Sequence, residues 1–221
     1  MYHYVDRTPP EKGWSADWLT VRTPDFEWEM EWLEKHDYHT VTLEQVYAAA
    51  NGGQTLPSRP VVLTFDDDTL DNYTVVYPIL RRHGFVATFF IITNYVGRSR
   101  CVTWDQLREM QSHGMVIGSH TVSHVDLTKL THDALQRELT QSRTIIGREL
   151  GREPIVLAYP LGFQNGLVVQ AARAAGYQIG VTATRGLWIS RVSFMTLPRV
   201  SMGGPQDLRR FQRALGLPVT L

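Results

Sequence analysis

The sequence predicts an α/β fold built on a parallel sheet, and three observations predict it. Short apolar, β-rich runs alternate six or seven times with segments of helical periodicity. A length of 221 residues suits one sizeable core and is short for two ordinary domains. Polar clusters directly follow three of the apolar runs, where parallel α/β folds place their chemistry. Alternation alone leaves the sheet either closed into a barrel or open.

The elements follow in order. Thr23-Pro24 reads as an N-cap and first helical residue, with Phe26, Met30 and Leu33 at helical spacing up to about His36. Tyr38 to Thr42 is β-rich, and Leu43 to Ala50 is a short helix stopped by Asn51-Gly52-Gly53. Pro60 to Phe65 reads as a buried strand, Asn72 to His83 as a helix ended by Gly84, and Val86 to Ile92 as the next strand. Trp104 to Ser112 is helical, Met115 to Gly118 a strand. Asp133 to Leu150 is the clearest helix, with Leu135, Leu139, Ile146 and Leu150 on one face. Ile155 to Ala158 is a strand, Leu167 to Ala175 a helix, and Tyr177 to Thr182 a strand.

Composition narrows the function classes. With 43% hydrophobic and 20% charged residues the chain is globular, neither disordered nor fibrous. Lys+Arg and Asp+Glu both number 22, leaving no positive excess for counterion release, so nucleic acid is not an expected partner. The longest apolar stretches fall far below the roughly 20 residues of a membrane span. The single cysteine, Cys101, excludes an internal disulfide and a multi-cysteine zinc site. Met1 to Val5 carries no secretory signal pattern, which fits a cytoplasmic chain or a cropped mature segment.

The strand-end clusters are Asp66-Asp67-Asp68, Ser119-His120 with His124, and Tyr159-Pro160-Leu161-Gly162. Adjacent carboxylates raise one another's pKa, which a divalent cation relieves; a solvated helix cap is the plain alternative. An H-x-x-x-H pair is equally ambiguous alone. Together, one Asp and two His at strand ends on the same side of the sheet supply three ligands and leave a fourth position for water, the pattern of a catalytic zinc site. A remaining carboxylate can then act as base.

The blocks Leu63-Thr64-Phe65-Asp66-Asp67, Asp71-Asn72-Tyr73, Pro78-Ile79-Leu80, Ala87-Thr88-Phe89-Phe90, Gly118-Ser119-His120-Thr121-Val122-Ser123-His124, Ala158-Tyr159-Pro160-Leu161-Gly162 and Leu197-Pro198-Arg199 resemble the polysaccharide deacetylases, carbohydrate esterase family 4. The A-Y-P-x-G form is similar to the branch of poly-β-1,6-N-acetylglucosamine deacetylases with permuted motif order. The resemblance implies a distorted (β/α)7-type barrel of parallel strands, with residues 1–221 as one catalytic domain. It also implies hydrolysis of N-acetyl groups on an N-acetylglucosamine-containing polysaccharide or oligosaccharide, using one divalent metal ion, zinc before cobalt, nickel or iron. Asp66 would be the base and Asp67, His120 and His124 the metal ligands. The Leu161 N–H would help hold the oxyanion, with Tyr159 and Pro160 beside it at the substrate. The family works in the cell envelope or outside the cell, an expectation that the missing signal pattern leaves open to a cytoplasmic alternative.

Three departures bear on activity. Asp68 stands where the family usually has Gly, and a positive φ there would suit Asp less freely than Gly. Position 158 is Ala where an Arg commonly holds the catalytic Asp, making Arg199 the candidate replacement. The C-terminal leucine-x-histidine motif that supplies the general acid is absent, and His3, in a Tyr-His pair ending the first strand of the permuted branch, is the candidate acid. Trp28 and Trp32 are at helical spacing and read as packing, whereas Trp188 in a loop is the candidate sugar platform. Asp68 and the missing histidine also motivate a weakened, sugar-binding relative, and the missing signal pattern a hydrolase of small acetylated substrates.

Overall fold

The run Thr88–Ile91 is buried at all four positions, so both faces of its strand are covered, as in a parallel sheet wrapped by helices. The computed structural model describes residues 1–5, 18–187, 194–204 and 207–217. Up to residue 65 the elements are β1 (Tyr4–Val5), β2 (Thr20–Val21), α1 (Thr23–Lys35), β3 (His39–Thr40), α2 (Leu43–Ala50), β4 (Pro60–Val61) and β5 (Thr64–Phe65). Then come α3 (Tyr77–Arg82), β6 (Thr88–Ile91), α4 (Trp104–Ser112), β7 (Val116–Ser119), α5 (His132–Leu150) and β8 (Val156–Ala158). The last are α6 (Gly166–Ala174), β9 (Ile179–Arg185), β10 (Leu197–Arg199) and α7 (Leu208–Ala214).

Strands β5 to β10 form one parallel sheet in the spatial order β10-β9-β8-β7-β6-β5, and β1–β2 and β3–β4 are short parallel pairs outside it. The first two residues join the sheet's edges. On one side the Tyr2 N–H donates to Thr64 O (2.8 Å) and the Asp66 N–H donates to Tyr2 O (3.1 Å). On the other, the Met1 nitrogen donates to Val200 O (2.9 Å) and the Met202 N–H donates to Met1 O (2.8 Å). Met1–Tyr2 thus stands where a seventh strand would, and the sheet curls into the distorted barrel.

Local chemistry explains most elements. Capping boxes start α2 (Thr42 with Gln45) and α4 (Thr103 with Gln106). Gly151, in the left-handed conformation, ends α5. Helix α1 buries Phe26, Met30 and Leu33 in one core with Tyr2 and Phe65, while α5 and α6 bury Leu135, Leu139, Val168 and Ala172 in another with Tyr159. Gly118 is required on β7, because a Cβ there would lie 2.7 Å from the Phe90 ring and from Val156 on the two neighbouring strands.

Several boundaries differ from the sequence reading. Pro60–Phe65 is not one strand: Pro60–Val61 pairs with β3 and Thr64–Phe65 with β6, a hand-over between two sheets. The helix expected over 72–83 opens as a π turn, Asn72–Val76. Pro78 has no N–H to give the α ladder and its ring crowds the carbonyl four residues back, so the turn widens before α3. Arg22, not Thr23, is the N-cap of α1, and its side chain makes no cap hydrogen bond. Among the described residues no helix is long and apolar enough to cross a membrane.

Candidate active site

Each strand-end cluster lies at the C-terminal end of its strand, so the parallel sheet delivers them all to one rim. Asp66, Asp67 and Asp68 follow β5, His120 follows β7, Tyr159 to Gly162 follows β8, and Arg199 ends β10.

Asp67, His120 and His124 converge, with one ligand atom from each within 4.8 Å of the others. Asp67 Oδ1 is 3.6 Å from His120 Nε2 and 3.7 Å from His124 Nε2. His120 Nδ1 lies 2.8 Å from the Ala158 carbonyl oxygen, which can only accept, so Nδ1 carries a proton and Nε2 is the atom left to serve as a ligand. Nε2 faces the buried Asp67 Oδ1, which has no hydrogen-bond partner among the described residues. Acceptors converging on one point fit a cation between them, and one carboxylate with two imidazoles suits zinc or a similar divalent metal. Burial and the neighbouring His120 push the His124 imidazole below its ordinary pKa of 6.5.

The backbone around these groups is unusual. Asp67 (φ 76°), Asp68 (φ 43°), Thr121 (φ 69°), His124 (φ 58°) and Leu161 (φ 59°) all have positive φ. Elsewhere among the described non-glycine residues only Asp37, Arg59 and Arg100 do. Such conformations persist where surroundings hold them. The Thr121 N–H donates to Ser119 Oγ (3.0 Å), and Glu138 on α5 accepts from the N–H groups of Val122 (2.9 Å) and Ser123 (3.0 Å). Asp68 is 1% exposed, and one of its oxygens accepts from the Ile92 N–H at 3.3 Å. Burial pushes its carboxyl up to about 8, with Asp67 adding to the rise.

Asp66 is 3% exposed and is gripped by Arg199, whose two terminal nitrogens donate to its two oxygens at 2.8 and 2.7 Å. Arg199 Nε also donates to the Thr182 carbonyl (2.9 Å), and Nη1 donates to Thr64 Oγ1 (3.1 Å). Burial alone would raise the Asp66 carboxyl, but the Arg199 charge and hydrogen bonds, aided by His120 and His3, hold it well below the usual carboxylate range.

His3 lies between the Tyr2 bridge and β1, just beyond the end of the expected strand rather than in it. Its mostly buried imidazole is pushed below 6.5 by desolvation, against the pull of Asp66 and Asp67. Leu161 sits in a 3-10 turn, Pro160–Gly162, and its N–H donates to no acceptor among the described residues. The Leu161 and Phe163 side chains are 55% and 53% exposed on this loop.

Two expected substrate contacts are corrected. Tyr159 is 1% exposed and its hydroxyl donates to the Met195 carbonyl at 2.9 Å, so its side chain belongs to the core. Pro160 is buried as well, and the apolar surface at this loop comes from Leu161 and Phe163 instead. Trp188 lies outside the described residues. Trp28 and Trp32 pack edge-on against Phe211 at 5.7 and 5.5 Å. Tyr4, whose hydroxyl approaches Asp67 Oδ2 at 3.5 Å, and the loop-holding Glu138 are participants that no local motif announces.

A profile described as "Polysaccharide deacetylase" matches residues 53–180, which hold Asp66, Asp67, both histidines and the Leu161 turn. The chain belongs to the polysaccharide deacetylase family. YxkH of Bacillus subtilis (strain 168), whose name carries the same family assignment, is 33% identical over 186 residues, covering 84% of this chain and 64% of that protein. The poly-beta-1,6-N-acetyl-D-glucosamine N-deacetylase of Escherichia coli (strain K12) is 25% identical over 240 residues, covering 89% of this chain and 36% of that protein. The chain therefore spans less than two thirds of either relative. The solved Streptococcus pyogenes deacetylase PplD, in complex with acetate, superimposes with a TM-score of 0.90 at 28% identity, covering 97% of this chain and 95% of that one.

Proposed function

We propose that this chain hydrolyses N-acetyl groups on an N-acetylglucosamine-containing polysaccharide or oligosaccharide, with one divalent metal ion, zinc by the chemistry of its donors. The observation that carries the reading is the convergence of Asp67, His120 and His124 beside an Asp66 clamped by Arg199. The Streptococcus pyogenes deacetylase holding acetate, a product of such a reaction, adds support.

Asp67, His120 and His124 would hold the metal, which when bound supplies a Lewis acid that acidifies water and polarises an acyl oxygen. Asp66 accepts the proton of the attacking water. The Arg199 clamp keeps it ionised and aimed, and also makes it a weak base, so it takes a proton only from an oxygen already acidified. The Leu161 N–H donates to the oxyanion that develops on the acetyl carbonyl, fixed by a turn whose shape is set before substrate arrives. His3 delivers a proton to the departing amine. The exposed Leu161 and Phe163 side chains give the sugar an apolar surface. By family, the reaction would take place in the cell envelope or outside the cell.

Acetate release from N-acetylglucosamine oligomers of several lengths, with metal and after chelation, tests the reading. Metal-loaded Asp66→Asn should keep fold and metal yet lose most of kcat, since Asn cannot take the proton. No release by the metal-loaded wild type would overturn the proposal, and full turnover by Asp66→Asn would move the base elsewhere.

A further inference from the structure

Lysines and arginines balance aspartates and glutamates over the whole chain, so a local excess of one sign is segregation rather than bulk composition. Such an excess lines a cavity of about 610 Å³ at the C-terminal ends of β9 and β10, against α7. Arg185, Arg199, Arg209, Arg210 and Arg213 all reach its wall, with Asp207 the sole acidic residue among its described lining. Asp207 Oδ1 already accepts the Arg210 N–H at 2.7 Å, as the N-cap of α7. The side chains of Arg185, Arg209 and Arg213 make no ion pair or hydrogen bond among the described residues.

The cavity adjoins the reacting groups on two sides. Arg185 is the register partner of Arg199 across β9–β10, and its guanidinium, without a partner among the described residues, shares the cavity wall with the one that clamps Asp66. Ala183, also in the wall, abuts the oxyanion turn closely enough that a Cβ at Gly162 would lie 2.5 Å from its methyl. A sugar chain with its acetamido group between Asp66 and Leu161 would therefore bring neighbouring substituents over these arginines. Guanidinium pairs with carboxylate and phosphate oxygens in a two-pronged geometry. It would also repel the ammonium groups that build up on a homopolymer of N-acetylglucosamine as it is deacetylated.

We propose that this arginine-lined cavity binds an anionic substituent, a carboxylate or a phosphodiester, on the glycan that carries the acetamido group, so that the substrate is an acidic acetylated glycan. The proposal rests on the deacetylase reading and deepens it. Its test compares kcat/KM for acetate release from three oligosaccharides at low ionic strength. These are neutral N-acetylglucosamine oligomers, hyaluronan oligomers for the carboxylate, and phosphodiester-linked N-acetylglucosamine 1-phosphate oligomers for the phosphodiester. At least one anionic oligomer should exceed the neutral one about tenfold or more, through KM, and lose that margin in 0.5 M salt as screening requires. The double variant Arg185→Gln/Arg213→Gln should erase the preference while leaving turnover of the neutral oligomer unchanged. Equal rates on all three oligomers, or an equal loss on all three in the variant, would overturn the proposal. If none of them releases acetate, the deacetylase reading fails and calorimetry with the same oligomers decides. Binding of an anionic oligomer that the double variant weakens about tenfold upholds the cavity's role, and no binding overturns it.

Discussion

Arg199 holds both oxygens of Asp66 at 2.7 and 2.8 Å although 133 residues separate them in the chain. The pair is nearly sealed from water, so each buried charge is compensated mainly by the other. Truncating one partner of such a pair costs about 3–5 kcal/mol, because the remaining charge stays buried without its counter-ion. Arg199→Met should lower stability by that order in urea unfolding. It should also shift the acid limb of kcat/KM to higher pH, because without the guanidinium the main influence holding the Asp66 carboxyl down is gone and burial, opposed only by His120 and His3, raises its pKa. Arg199→Lys, which keeps the charge but not the fork, should be milder in stability than in kcat. An unmoved acid limb in Arg199→Met would remove Asp66 from the titrating chemistry.

Asp67, His120 and His124 stand close enough for one ion, so losing any one should be felt as metal affinity first. Metal content after mild dialysis should be near one per chain in the wild type and fall sharply in His120→Ala or His124→Ala. His120→Ala should be the worse of the two, because its ring is buried and oriented by the Ala158 carbonyl whereas His124 is partly open. Unchanged metal in both variants would sink the assignment.

What was legible in the sequence is what local patterns encode. Apolar runs located the core strands, and the polar clusters behind them marked the rim, because side-chain period and strand-end chemistry are properties of a few neighbouring residues. Capping boxes such as Thr42 with Gln45 are local in the same sense. The edge closure by Met1 and Tyr2 was not legible, since it depends on two sheet edges, at residues 64–66 and 200–202, that are remote from Met1 and Tyr2 in sequence. The division of Pro60–Phe65 depends on two partner strands remote in sequence. The inward turn of the Tyr159 side chain is not legible either, because a strand-end motif does not say which way a side chain turns, and the Met195 carbonyl that accepts from its hydroxyl lies 36 residues away. Glu138 carries no local signal, because what it holds is a loop 15 or 16 residues earlier in the chain.

Glu29 on α1 is fully buried, accepts a hydrogen bond from the Tyr2 hydroxyl at 2.8 Å, and its other oxygen has no hydrogen-bond partner among the described residues. Desolvation pushes its pKa from 4.5 up to about 8. The native protein therefore keeps this proton through a range in which the unfolded chain releases it. The stability it contributes is complete below about pH 4.5 and is lost as pH rises toward about 8. Glu29→Gln, neutral at every pH and still able to accept from Tyr2, should be more stable than wild type at pH 8 by up to roughly 4–5 kcal/mol, given about 1.4 kcal/mol for each pKa unit between 4.5 and about 8. The two should converge near pH 4. Parallel unfolding curves at both pH values would show that Glu29 is not the titrating group.

The last prediction concerns His3, the candidate general acid in a chain that lacks a C-terminal histidine motif. Its place is set by the barrel closure, since Tyr2 is pinned to β5 and His3 follows within electrostatic reach of Asp66, Asp67 and His120. Its Nδ1 is buried with no partner among the described residues, so nothing in the resting protein uses the group that the reaction would need. Desolvation outweighs the carboxylates and holds the imidazole below 6.5, so the protonated fraction of the free enzyme declines as pH rises through a value under 6.5. An acid of that kind should appear as an alkaline limb in kcat/KM. His3→Ala should lower kcat by roughly 10²-fold or more and leave metal content unchanged, because the lost group gives a proton and holds no metal. It should also abolish the alkaline limb, a change that a merely structural histidine would not cause. Full activity with an unaltered pH profile in His3→Ala would place the acid elsewhere, with Tyr4, whose hydroxyl reaches toward Asp67, the next group to test.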